Sequence, residues 1–276
     1  MFVRTTWNHV KFLLGKTSSK ITFFALFLVM LLNFVLNVLY FRGYDVIEMY
    51  HPMNILSLSY DRTSLNADAA LLLVQLLPLL VGWPAGLALA ADRGIGADTM
   101  LVARLGRKLY VTSKLTAVFI ATAIVFSVPF LLEIVLNCLS FPLTATGNLA
   151  GIDVFDSDYA EMLGNYLCPW LYRFSPYLAA VLGTIGFGLF AGLLACVTAS
   201  LSLFVRIRFR VFLLLPVFIL LYAINSSEAI ERKWYTYILF FNEQPKNTLY
   251  WLSICAALVC FCLLAAWYGC RKDCLK

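Results

Sequence analysis

Hydrophobic and polar positions segregate in this chain by whole segments. Apolar runs cover about residues 21–41, 68–91, 111–139, 177–205, 211–224 and 248–268, each bounded by polar or charged residues. Roughly 20 apolar residues are what a helix needs to cross a bilayer, and in lipid the backbone groups of such a run find partners only within a helix. The pattern predicts an all-α polytopic membrane protein of six transmembrane helices, with residues 1–276 forming a single transmembrane domain.

Ahead of the first run, residues 1–20 carry Arg4, Lys11, Lys16 and Lys20 without an acid, while Val3, Trp7, Val10 and Leu14 recur at helical spacing. This predicts an amphipathic interfacial helix with its lysines toward anionic lipid. The first span is too long for a signal-peptide core and no small-residue cleavage site follows, so it is expected to remain in the mature chain. Asn33 and Asn37 share a face near its end and are expected to bond to a neighbouring helix. Pro78 and Pro84 lie inside span 2, where each removes a backbone donor, so a broken helix is expected there, either a candidate hinge of the translocation path or a plain packing irregularity. Gly188 and Gly192 form a G-x-x-x-G pair in span 4, which admits a second helix at close range, within the subunit or across a dimer.

The main polar interruption runs from Asp92 to Lys114, with five basic residues (Arg93, Arg104, Arg107, Lys108, Lys114) and two acidic ones (Asp92, Asp98). It is expected to be a loop at the membrane surface that contains a short helix. Asp98 is placed to act as N-cap and Gly106 to supply the special C-terminal conformation. Leu101, Leu105 and Leu109 recur at i, i+4 in one apolar stripe. Asp98 and Arg104 stand at the ends where the helix dipole favours their charges. Such a helix is a handle for another protein; an ordinary charged loop is the plainer alternative.

Composition supports the membrane reading: 62% of residues are hydrophobic and 13% charged, against roughly a quarter charged in soluble domains. The net charge of +6 does not imply nucleic acid, because it is distributed by side. With the N-terminus inside, 15 of the 21 Lys and Arg fall in inner segments, and only Arg42, Arg62, Arg173, Arg232, Lys233 and Lys246 fall in outer loops. The positive-inside rule then favours both termini in the cytoplasm. The eight cysteines form no C-x-x-C pair and read as small buried hydrophobes, with a Cys138–Cys168 bridge as the alternative.

Candidate chemistry is sparse. The two histidines, His9 and His51, offer no metal site, and no H-E-x-x-H or serine-elbow motif occurs. Gly15-Lys16-Thr17 resembles the end of a phosphate loop, but Val10 stands where its first glycine belongs. The acids Asp153, Asp156, Asp158 and Glu161 do not match a calcium loop. Glu133 is the one carboxylate well inside an apolar run, which makes it a candidate of the pathway by default, or else an acid at the outer interface. Catalysis and ion coupling want more ionisable groups than this, so a transport protein driven by a separate subunit fits better.

The Pro-containing span 2, Asp92-Arg93-Gly94, the short helix, Arg104-x-x-Arg107-Lys108-x-Tyr110, Lys114 and the following apolar span together resemble the membrane (permease) subunit of type 2 ABC exporters. The resemblance implies that residues 92–110 hold the coupling helix, with Asp92, Asp98, Leu101, Arg104, Leu105, Arg107, Lys108 and Tyr110 facing a cytoplasmic ATPase subunit. It further implies a pair of permease subunits, a bacterial cell-membrane location, and ATP bound by the partner, with no cofactor or metal held by this chain. Residues 1–20 would be the family's interfacial helix, and 225–247 its outer re-entrant region. Replacing Leu101 and Leu105 by Asp is expected to uncouple the ATPase. A non-transporting membrane partner is the first alternative. A membrane enzyme acting on lipid is the second, and it requires Glu133 to be buried beside another polar group.

Overall fold

A computed structural model of the chain describes residues 1–42, 52–58, 73, 76–77, 79–141, 168–205, 209–219 and 248–271. Helices and turns account for the regular structure there, and no strand occurs among the described residues. The helices are α1 (Phe2–Gly15), α2 (Thr17–Tyr40), α3 (Ala88–Gly94), α4 (Ala97–Leu105), α5 (Arg107–Ser140), α6 (Pro169–Phe174), α7 (Pro176–Phe204) and α8 (Thr248–Arg271), with 3₁₀ turns at Pro52–Ile55 and Arg210–Leu213. Four are long and apolar enough to cross a bilayer: α2, α5, α7 and Leu252–Arg271 of α8. They mark the chain as a helical membrane protein. Spans 2 and 5 are described only in part, and Pro78, His51, the acids of 153–161 and residues 225–247 lie outside the described residues.

Local chemistry accounts for the element boundaries. Lys16 is extended between α1 and α2, and the Ser19 hydroxyl ties that bend by donating to Leu13 O at 2.7 Å. Residues 81–87 form turns instead of a continuous helix, as expected around Pro84. The Ser18 and Ser19 hydroxyls donate to Pro84 O at 3.1 and 3.2 Å, so α2 satisfies a carbonyl in the segment the prolines interrupt. Gly96 and Gly106 have φ of 70° and 76°, which only glycine adopts without penalty, and they divide α3, α4 and α5. Pro129 sits inside α5 without ending it.

Contacts along the helices fix their relative directions. Thr184 O accepts from Ser127 and Leu115 O from Cys196, so α7 runs antiparallel to α5. Gly188 and Gly192 make this contact close: a methyl group on Gly188 would come within 2.7 Å of Ala123 O, and one on Gly192 within 2.8 Å of Phe119 O. The glycine pair therefore packs within the chain. The start of α2 bonds to Pro84 while Asn33, near its end, bonds to Glu133 near the end of α5, so α2 and α5 run in the same direction. Gly269, near the end of α8, accepts from Arg107 at the start of α5, so α8 runs with α7.

Two apolar clusters fill the bundle. One, mid-bundle, brings Phe187 within 5.9 Å of Phe126 and 5.5 Å of Phe130, ring centre to ring centre. The other lies where α5 begins and joins Val10 and Leu13 of α1 to Val111, Leu115 and Val118 of α5 and Ala195 and Ala199 of α7. Only Thr6, Val10 and Leu13 of α1 are buried. Val3 and Trp7, expected on the same apolar face, remain exposed, because α1 rests on α5 by the neighbouring stripe. Much of α8 is uncovered, including Leu263, Leu264 and Trp267, as suits a helix at the lipid boundary.

Candidate functional site

Helix α5 begins earlier than its apolar run, at Arg107. Of the basic residues expected in a loop, Arg107, Lys108 and Lys114 therefore ride on its first two turns, while Arg93 lies in α3 and Arg104 in α4. Lys114 is one of the largest fully buried side chains, and its ammonium lies 2.6 Å from Asp92 Oδ2 in α3. The Tyr110 hydroxyl donates to the same oxygen at 2.8 Å. Phe12 of α1 lies beneath the Lys114 ammonium, 5.7 Å from ring centre, and His9 meets the Tyr110 ring edge-on at 6.4 Å. Arg93 donates to Ser202 O in α7, and Arg107 Nε donates to Gly269 O in α8 at 2.6 Å. One polar knot thus joins α1, α3, α5, α7 and α8. Burial, then the nearby Lys114 charge, holds the His9 imidazole below its usual 6.5, with Asp92 opposing. Burial and Lys114 likewise lower Lys16.

Helix α4 hangs from this knot between its two glycines. Gly96, not Asp98, is its N-cap; Asp98 lies in the first turn, where its Oδ1 accepts from Thr99 N at 2.9 Å. Asp98 and Arg104 keep the positions that suit the dipole. The apolar stripe, however, is turned inward. Leu101, with Val102, packs against the cluster of α1 and α5, and Leu105 and Leu109 are half-buried. The side open to solvent carries Thr99, Met100, Ala103 and Arg104, with Ile95 just before it. Lys108 is exposed beside them. Of the proposed docking residues, then, Asp92 and Tyr110 are interior, Leu101 faces the bundle, and Arg104 and Lys108 face outward.

At the other end of α5, Glu133 is buried among side chains from three segments. Its Oε1 accepts from Asn33 Nδ2 at 2.8 Å, Ser57 N at 2.9 Å and Ser57 Oγ at 2.8 Å. Asn33 and Asn37 both donate to Ile55 O, at 2.8 and 2.9 Å. Asn33 thus bonds to a neighbouring helix, as expected, while Asn37 is bonded to the 3₁₀ turn at Pro52–Ile55. Lys114 and Glu133 are 19 positions apart on α5, or roughly 28 Å along the helix. The two charged groups therefore lie toward opposite ends of the bundle. Glu133 is enclosed by protein.

Among the described residues the cysteines are free, Cys138 and Cys168 included, and no group of three His, Cys, Asp or Glu could hold a metal. Comparison of the chain with models of known families, with curated proteins and with solved structures finds no match. The Asp92–Lys114 pair escaped sequence reading because 21 residues and two glycine breaks separate its members. A usable signal was present: Lys114 lies on the same helical face as Val111, Leu115 and Val118, all of which are buried.

Proposed function

We propose that this chain is the permease subunit of an ATP-driven exporter, moved by a separate ATPase subunit through α4. The observation that carries this reading is a short helix presenting Met100, Ala103 and Arg104 outward while its base is locked by the Asp92–Lys114–Tyr110 knot to the ends of α1, α5, α7 and α8. A push on α4 would reach each of those helices through buried, directional contacts. Support for six spans comes from the helix directions. α2 runs the same way as α5 and α7 the same way as α8, the arrangement expected if one further span separates the members of each pair. The basic bias of the segments at the α4 end supports placing that end, and both termini, in the cytoplasm. A homo- or heterodimer of permease subunits would complete the path.

The test is co-purification from the native membrane. Wild type is expected to bring down an ATP-hydrolysing subunit, and the double variant Met100→Asp, Ala103→Asp to lose it while retaining its own melting temperature. Wild type purified without any nucleotide-hydrolysing companion, yet functional, contradicts the proposal. One observation favours a second reading. Glu133 is buried beside Ser57 and Asn33, which is the condition set for a membrane enzyme. Ser57 has no exposed surface, so that reading needs a lipid substrate to displace the 52–58 segment. It predicts that Ser57→Ala abolishes activity, whereas the exporter reading predicts that it is tolerated.

A further inference from the structure

The Glu133 cluster contains an imbalance. All the donors named above are spent on Glu133 Oε1 and Ile55 O, while Glu133 Oε2, Asn33 Oδ1 and Asn37 Oδ1 are buried with no hydrogen-bond partner. Asn33 and Asn37 have no exposed surface and Glu133 is 1% exposed. Each free oxygen belongs to an amide or carboxylate group whose other polar atom is bonded in the Asn33–Ile55–Glu133 network. The amide orientations follow from chemistry: only the nitrogen of Asn33 can serve both Glu133 Oε1 and Ile55 O, and only that of Asn37 can serve Ile55 O. A buried acceptor without a partner is unfavourable, and a buried carboxylate without a counter-charge more so. Among the described residues no cationic side chain pairs with Glu133.

We propose that Glu133 Oε2, Asn33 Oδ1 and Asn37 Oδ1 form a binding site for a monovalent, sodium-like cation toward the end of α5 remote from α4. The donor set is all oxygen, which suits a hard cation, and its single formal charge is balanced by one positive charge. The cation clips residues 55–57 onto α2 and α5. It is a structural ion at the end of the bundle remote from α4, so the proposal stands or falls independently of the ATPase.

The test uses the purified full-length chain in detergent, at alkaline pH and constant ionic strength, with sodium chloride replacing choline chloride. Its melting temperature is expected to rise with sodium concentration. Ser57→Ala, which touches only the Oε1 side, is expected to keep the sodium response at a lower baseline, and Glu133→Gln to lose it. Should Glu133→Gln not fold, equilibrium binding of radioactive sodium to wild type decides: one saturable site per chain is expected. Identical melting in sodium and choline, or a shift with pH but none with sodium, overturns the proposal, as does a sodium response retained in Glu133→Gln.

Discussion

Lys114 is the residue on which the α4 end depends. Its ammonium is buried against Asp92 and above Phe12, so Lys114→Met leaves the Asp92 carboxylate with the Tyr110 hydroxyl but without its counter-charge. Breaking one side of a buried pair costs roughly 3–5 kcal/mol. Removing both charges, with Asp92→Asn and Lys114→Met together, is expected to cost less than either single change, as a double-mutant cycle on thermal unfolding would read. His9 adds a pH dependence. Its folded-state value lies below 6.5, so above 6.5 both folded and unfolded chains hold it neutral and it contributes nothing. As pH falls through 6.5 the unfolded chain takes up the proton first, and stability drops. Melting temperature is expected to fall between about pH 7.5 and 5.5, and His9→Gln to flatten that slope.

At the scale of elements, the apolar runs were readable because a spanning helix must be hydrophobic over its whole length. Glycine and proline punctuation was readable too: Gly106 does take a positive φ, and the backbone breaks around Pro84. What the pattern did not carry was rotation. The leucine stripe of α4 predicts a face but not which neighbour that face meets, and Leu101 turned out to pack on α1 and α5. Register between distant segments was equally hidden, since Asn33 meets Glu133 across 100 residues. The G-x-x-x-G pair left two partners open, and the backbone oxygens of Phe119 and Ala123 answer that question. Gly188→Val is expected to separate α5 from α7 at a cost of about 1–3 kcal/mol or more, measured as loss of the folded fraction in detergent. A change of similar size at the lipid-facing Leu263 is expected to be tolerated.

For the whole molecule, the account joins two ends of one bundle. At one end α1, α4 and the end of α8 gather around a buried ion pair; at the other, α2, α5 and residues 55–57 gather around Glu133. Helix α5 is the shared shaft, roughly 51 Å long and hence longer than the ~30 Å apolar layer. It carries Lys114 toward one end and Glu133 toward the other. The central claim is that the α4 end faces the cytoplasm, where a nucleotide-driven partner can reach it. The most direct measurement is labelling with a membrane-impermeant thiol reagent, read by mass spectrometry at the engineered site. Met100→Cys is expected to react only in inverted vesicles and Ser140→Cys, at the far end of α5, only in intact cells. Reaction of Met100→Cys in intact cells would contradict the account.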